Sequence, residues 1–199
     1  MGLNEKKQAV TYVNIKEGML VVKKDNTIKN FNSIDGRIKR VLFQIDEYEG
    51  KKYEKAIFVI DDIGETFYLQ MRTSSGYFRG LCNSLKSSTK PKEIVEINPF
   101  KKDGKTTCFV TQEAKVLKHT HTRDNMGDLP ELEVVEFKGE KHWDGTKQID
   151  YWKKWLNEIF NTDTTETTET SEMPEIQETR IEFREDNFEP STSLDDLPF

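Results

Sequence analysis

This chain of 199 residues predicts a mainly β fold, and three observations carry the prediction. Between residues 10 and 112, short runs rich in Val, Ile, Thr, Phe and Tyr follow one another. Glu-Gly, Ile-Gly and Asp-Gly pairs punctuate them, which is hairpin-turn chemistry. Only one stretch in that span, residues 74–85, switches to helical spacing.

In order, "VTYVNI" and "MLVV", split by Gly18, predict two N-terminal strands. "NFNSIDGRIKRVLFQIDEY" predicts a long strand; "EGKK" turns it into "YEKAIFVID", and "DDIGE" leads on to "TFYLQMR". These three form a meander. In "TSSGYFRGLCNSLKSS", Ser74 or Ser75 can cap a helix on which Tyr77, Phe78, Leu81 and Leu85 recur. "KPKEIVEINPF" and "KTTCFVTQ" return to strand around the turn Asp103-Gly104. Three strands, a helix and two strands is the order of an OB-fold, a five-stranded, partly open barrel with its helix between strands three and four. Beyond it, a strand is expected around residues 133–137. "DGTKQIDYWKKWLNEIF" predicts an amphipathic helix with Ile149, Trp152, Trp155, Leu156 and Ile159 on one face, packed on the barrel. Phe43, Phe58, Phe67, Phe100 and Phe109 are assigned to the core.

The composition divides the chain at residue 160. The net charge of −6 conceals a body, 1–160, with 28 Lys+Arg against 24 Asp+Glu, and a tail, 161–199, with 2 against 12. Thr/Glu low complexity in "NTDTTETTETSEMPEIQETR" buries too little apolar surface to offset the entropy of ordering, so a disordered acidic tail is expected. Cys82 and Cys108 lack any Cys-x-x-Cys spacing and read as buried free thiols. No apolar run approaches the roughly 18 residues of a membrane span. The polar start "MGLNEKKQ" has no apolar signal core, and Lys6 breaks the myristoylation pattern; a cytosolic protein with no membrane partner is expected.

Catalytic motifs do not assemble. Gly104-Lys105-Thr106 echoes the end of a phosphate loop, but its first glycine would have to stand at Pro99. His119 and His121 alternate in "KHTHT" and could share a metal, or form a solvated polar strand; a third ligand is not evident. Asp61-Asp62 is either a carboxylate pair or turn chemistry in "DDIGE". Trp152 and Trp155 at i, i+3 read as a helix seam, while Trp143 is unconstrained. No catalytic residue, metal or cofactor is assigned.

Binding residues converge better. The two hairpin connections with which an OB-fold grips nucleic acid coincide with Lys51, Lys52 and Lys55, and with Lys101, Lys102 and Lys105. In the third meander strand Phe67, Leu69 and Met71 alternate with Tyr68, Gln70 and Arg72, so one face fills the barrel and the other offers a ring and a guanidinium. Arg37 and Lys39 on the first strand, Tyr48 and Tyr53 beside its turn, and Tyr77 and Arg79 at the helix start complete the set. Binding of single strands without sequence preference needs this mixture. Every base has a face to stack on, worth about 1–3 kcal/mol each, and every nucleotide a phosphate to neutralise. Affinity is expected to fall with salt, with a slope near about −0.7 per phosphate contact.

The chain ends "STSLDDLPF". Asp195, Asp196, Leu197, Pro198 and Phe199 resemble the C-terminal tip of bacterial and phage single-stranded DNA-binding proteins, which end in acidic residues, a small apolar group and a terminal Phe; Leu197 stands where the bacterial family usually has Ile. In that family the tip docks into pockets on replication, recombination and repair proteins. The resemblance implies a divergent phage-type member in the bacterial cytoplasm that coats single strands and recruits a polymerase, helicase, primase or nuclease. The physics suits such a tip: Pro198 limits the freedom lost on docking, Phe199 fills an apolar pocket, and the carboxylates pair with a basic rim. The acidic tail is also expected to compete with DNA for the basic body. A homo-oligomer, RNA binding, an adaptor without DNA affinity and a metal-dependent nuclease stay open at this point.

Overall fold

The computed structural model describes residues 10–24, 27–137 and 140–161. The acidic tail and the tip Asp195–Phe199 lie outside the described residues. Eleven strands and two helices follow in the order β1 (Val10–Lys16), β2 (Met19–Lys24), β3 (Thr27–Phe31), β4 (Ile34–Tyr48), β5 (Lys51–Asp62), β6 (Glu65–Arg72), α1 (Gly76–Lys86), β7 (Ile94–Lys102), β8 (Lys105–Gln112), β9 (Lys115–Val116), β10 (Glu133–Phe137), β11 (Glu140–Asp144) and α2 (Thr146–Phe160). The fold is mainly β, as the alternation predicts.

Five connections, β1–β2, β4–β5, β5–β6, β7–β8 and β8–β9, are two-residue turns with positive φ at both residues, from Glu17-Gly18 to Glu113-Ala114. That geometry matches the twist of the flanking strands and locks their register. Its first position tolerates Asp or Glu at some cost and a β-branched residue poorly, so Ile63 at φ 38° is strained; it is also 98 % exposed.

The expected five-stranded barrel is instead part of a larger mixed sheet, ordered β3-β2-β1-β6-β5-β4-β7-β8-β9 among the described residues. The ladder does not close: β1 runs parallel to β6, Val13 beside Leu69, and takes the flank of the meander. The turn of the β1–β2 hairpin reaches β7. Gly18 N–H donates to the Tyr77 hydroxyl at 2.8 Å, and Glu17 pairs with Lys101 at 2.6 Å. A side chain at Gly18 would meet the Lys101 backbone nitrogen at 2.7 Å, so this approach requires glycine.

One row of core residues crosses the sheet: Val13, Leu69, Phe58 and Val41 are successive cross-strand partners, all buried. α1 covers one side of this core with Phe78, Leu81, Cys82 and Leu85. Ser75 caps it by accepting from Phe78 N–H at 3.2 Å. Gly76 and Gly80 let α1 lie against β8, where added methyls would fall 2.2 Å from Thr106 O and Thr107 Oγ1.

α2 adds Trp152, Leu156 and Phe160 to the same core, and Trp152 and Trp155 form its seam, ring centroids 6.2 Å apart. Two polar devices dock it. Asn161, just past its end, accepts from Val41 N–H at 3.2 Å and donates to Val41 C=O at 2.9 Å. β7 pairs with β4 only over Ile34–Arg37, so this side chain takes the place of a neighbouring strand. At the other end His121, 1 % exposed, lies against Trp152, and Tyr151 donates to Asp128 at 2.7 Å, with Lys86 bound to both. Asn83 holds the His121 backbone through both its N–H and its C=O.

Candidate nucleic-acid interface

Cross-strand partners share a face, so the register assigns every side chain of the meander to the core or to the opposite, outer face. One outer row is Tyr12, Tyr68, Val59 and Arg40, on β1, β6, β5 and β4; the next is Asn14, Gln70, Ile57 and Leu42. A third is Arg72, Lys55 and Gln44, and Tyr53, Lys51 and Tyr48 continue the face to the Glu49-Gly50 turn. Ile57 and Val59 are only 4 % and 6 % exposed although they stand outside the core cluster, so longer neighbours wall them in as an apolar floor.

Tyr12 meets Tyr68 edge to face, centroids 5.4 Å apart and planes at 78°. Burial raises the Tyr12 phenol above its ordinary value, so the hydroxyl stays protonated at neutral pH. The Arg72 guanidinium lies 4.5 Å over the Tyr53 ring, a cation–π pair that can slide over a base as readily. Arg40 is exposed and has no ion-pair partner among the described residues. Its outward position depends on a bulge: the register shifts between Ile38 and Arg40, with Lys39 as the extra residue. Arg37 and Arg40, three apart, therefore both face out while Ile38 and Val41 both face in.

Of the residues singled out in the sequence, Tyr48, Lys51, Tyr53, Tyr68 and Arg72 lie on this face. Arg37 and Lys39 join it but are engaged, Arg37 with Glu93 at 3.1 Å and Lys39 with Asp61 at 3.8 Å. Lys55 is paired with Asp46 at 2.7 Å. Lys52 sits on the other face of its hairpin, opposite Glu47. Five further residues are not brought to the meander's outer face. Tyr77 and Arg79 belong to α1, where the Tyr77 hydroxyl is used by Gly18 and Arg79 is largely buried, its Nε without a partner among the described residues. Lys102 and Lys105 stand opposite each other at the end of the β7–β8 hairpin, and Lys101 is held by Glu17. Sequence reasoning missed Tyr12 and Arg40.

Two core assignments are overturned. Phe100 and Phe109 are 45 % and 39 % exposed, because the register across Asp103-Gly104 puts Ile97 and Val110, and Pro99 and Cys108, on the core side. Phe43 and Phe67 are half-buried against the core and Phe58 is fully inside.

The histidines do not share an environment. His119 stacks on Phe109 and His121 is enclosed beside Trp152; burial lowers both from the ordinary imidazole value. Among the described residues no three His, Cys, Asp or Glu side chains gather as a metal site. Asp61 serves its turn, accepting from the Thr66 hydroxyl at 3.0 Å. Asp35, raised by burial and then by Glu96 and Asp62, marks an acidic end of the sheet away from the basic turns. Burial also raises both cysteine thiols, consistent with inert free thiols. No helix among the described residues is long and apolar enough to cross a membrane. Comparison with family models, curated proteins and solved structures returns no match.

Proposed function

We propose that this chain binds single-stranded DNA without marked sequence preference on the outer face of β1, β6, β5 and β4, and recruits replication or recombination proteins through Asp195–Phe199. The observation that carries the reading is the Tyr12–Tyr68 ring pair in one row with Arg40, across the apolar floor of Val59 and its neighbour Ile57. Flat rings, an apolar floor and an exposed guanidinium suit unpaired bases and their phosphates; a duplex hides its base faces. Rings and an apolar floor accept any base face, which is why preference is slight.

An OB-type reading of the fold has its own support. The order β6-β5-β4-β7-β8, with α1 between β6 and β7, is that of a five-stranded OB barrel opened between β6 and β8, and the turn of the β1–β2 hairpin packs at β7. Recruitment by the tip rests on the sequence resemblance alone.

Anisotropy titration of labelled oligo-dT, oligo-rU and duplex DNA across a salt series tests the binding. Salt-sensitive binding of oligo-dT, much tighter than duplex, is expected. Equal affinity for duplex and single strand removes the proposal, and preference for oligo-rU redirects it to RNA.

A further inference from the structure

Phe100 and Phe109 are large apolar side chains on the outside of a hairpin, and they are not scattered. As diagonal neighbours on one face their rings lie 5.7 Å apart, and His119 stacks on Phe109 at 6.5 Å with planes 18° apart. Burial lowers the His119 pKa, so at neutral pH its ring is an uncharged flat surface. The result is a continuous run of three rings.

The same face ends in Lys102 and Lys105, directly opposite each other across the last pair of the ladder. Two ammonium groups at one end of a hairpin add their attractions for a phosphate. Rings beside paired cations fit a polyanion that carries flat apolar groups, and they do not fit an acidic or purely apolar partner. The outward side is shared with the meander across the β4–β7 pairing, where Arg37 stands beside Ile94, and a strand passing between the two skirts the next outward pair, Asp35 and Glu96.

We infer that Phe100, Phe109 and His119, with Lys102 and Lys105, form a second stacking platform for the same single strand, so that a bound strand passes from the meander onto the β7–β8 hairpin. The inference rests on the proposed function and adds a length requirement: a short oligonucleotide occupies the meander alone and a long one occupies both. An OB-sized groove covers about 4–16 nucleotides, so oligo-dT of about 8 and about 24 nucleotides separates the cases.

The test uses the full chain carrying Phe100→Leu and Phe109→Leu together, which keep apolar bulk and remove the ring faces. Affinity for the short oligonucleotide is expected to stay within about twofold of the parent, while affinity for the long one falls about tenfold or more. Phe109→Tyr keeps a ring and is expected to retain long-strand binding, which separates stacking from a folding defect. Lys102→Gln with Lys105→Gln is expected to lower the salt slope for the long strand by about 1.4 and leave the short-strand slope unchanged. The second platform is refuted if the double Leu variant binds the long strand as the parent does, or loses both lengths equally. If the parent binds neither length, the proposed function itself fails.

Discussion

Asn161 offers the sharpest test of how the last helix is held. Asn161→Ala removes both hydrogen bonds to Val41, together with an exposed third to Asn157 Oδ1, and leaves Val41 N–H and C=O without their partners. Each bond is worth about 0.5–1.5 kcal/mol net, and an unsatisfied buried backbone group costs about 1–3 kcal/mol. Asn161 is itself half-buried, so water reaches part of the gap. The low end of these ranges, about 2 kcal/mol in total, is therefore expected. For a domain of this size that lowers Tm by about 4–8 °C. Asn161→Asp distinguishes the mechanism: its carboxylate can still accept from Val41 N–H but cannot donate, and it faces the Val41 carbonyl. At pH 7 it is expected to be at least as destabilising as Asn161→Ala. Thermal and urea unfolding of the three proteins is the assay. Two variants within about 0.5 kcal/mol of the parent would refute the idea that this side chain completes the β4 edge.

Gly80→Ala ought to stabilise an isolated helix by about 1 kcal/mol, yet its methyl would lie 2.2 Å from Thr107 Oγ1 and 2.7 Å from Cys108 N; urea unfolding is expected to show a net loss of about 1–2 kcal/mol. Ile63→Asn relieves a β-branched residue of positive φ at an exposed site and is expected to raise stability by about 0.5–1 kcal/mol; an unchanged Tm would show that the turn is not strained. The imidazoles of His119 and His121 are held below their ordinary value by burial. As pH falls below about 6.5 the unfolded chain takes up protons that the folded chain resists, so stability present above that pH is lost on acidification. Tm measured from about pH 7.5 to pH 5 is expected to fall, with a shallower slope in His121→Gln; identical slopes would rule out His121 as a source.

The hairpins were legible because their signals are local: alternation with period two, and turn pairs such as Glu49-Gly50 and Asp103-Gly104. Helix α1 was legible from Ser75 and the spacing of Phe78, Leu81 and Leu85. Three kinds of feature were not. The parallel pairing of β1 with β6 joins residues more than fifty apart, and no local pattern announces it. In "CFV", three consecutive apolar residues leave the facing of Phe109 open until the partner strand is placed; Asn98 opposite it decides. Strict alternation from Arg37 and Lys39 points Arg40 inward, and only the bulge turns it out. Tyr12 could have been found from its place between Thr11 and Val13 in an alternating strand, but its value depends on Tyr68, which only the parallel pairing brings beside it.

The bulge at Lys39 shows how the meander absorbs one added residue: the strand keeps its pairing and the facing of everything on one side of the insertion is exchanged. Elsewhere in β4, β5 and β6 there is no such accommodation, and each turn is already at its minimum of two residues. A single-residue insertion in β6 would send Leu69 and Met71 outward and draw Tyr68 and Arg72 into the core. The number of residues between turns is therefore more tightly constrained than their identities. Chains that share this surface by descent should differ by substitution along these strands and by length at residues 117–132, where no ladder counts residues.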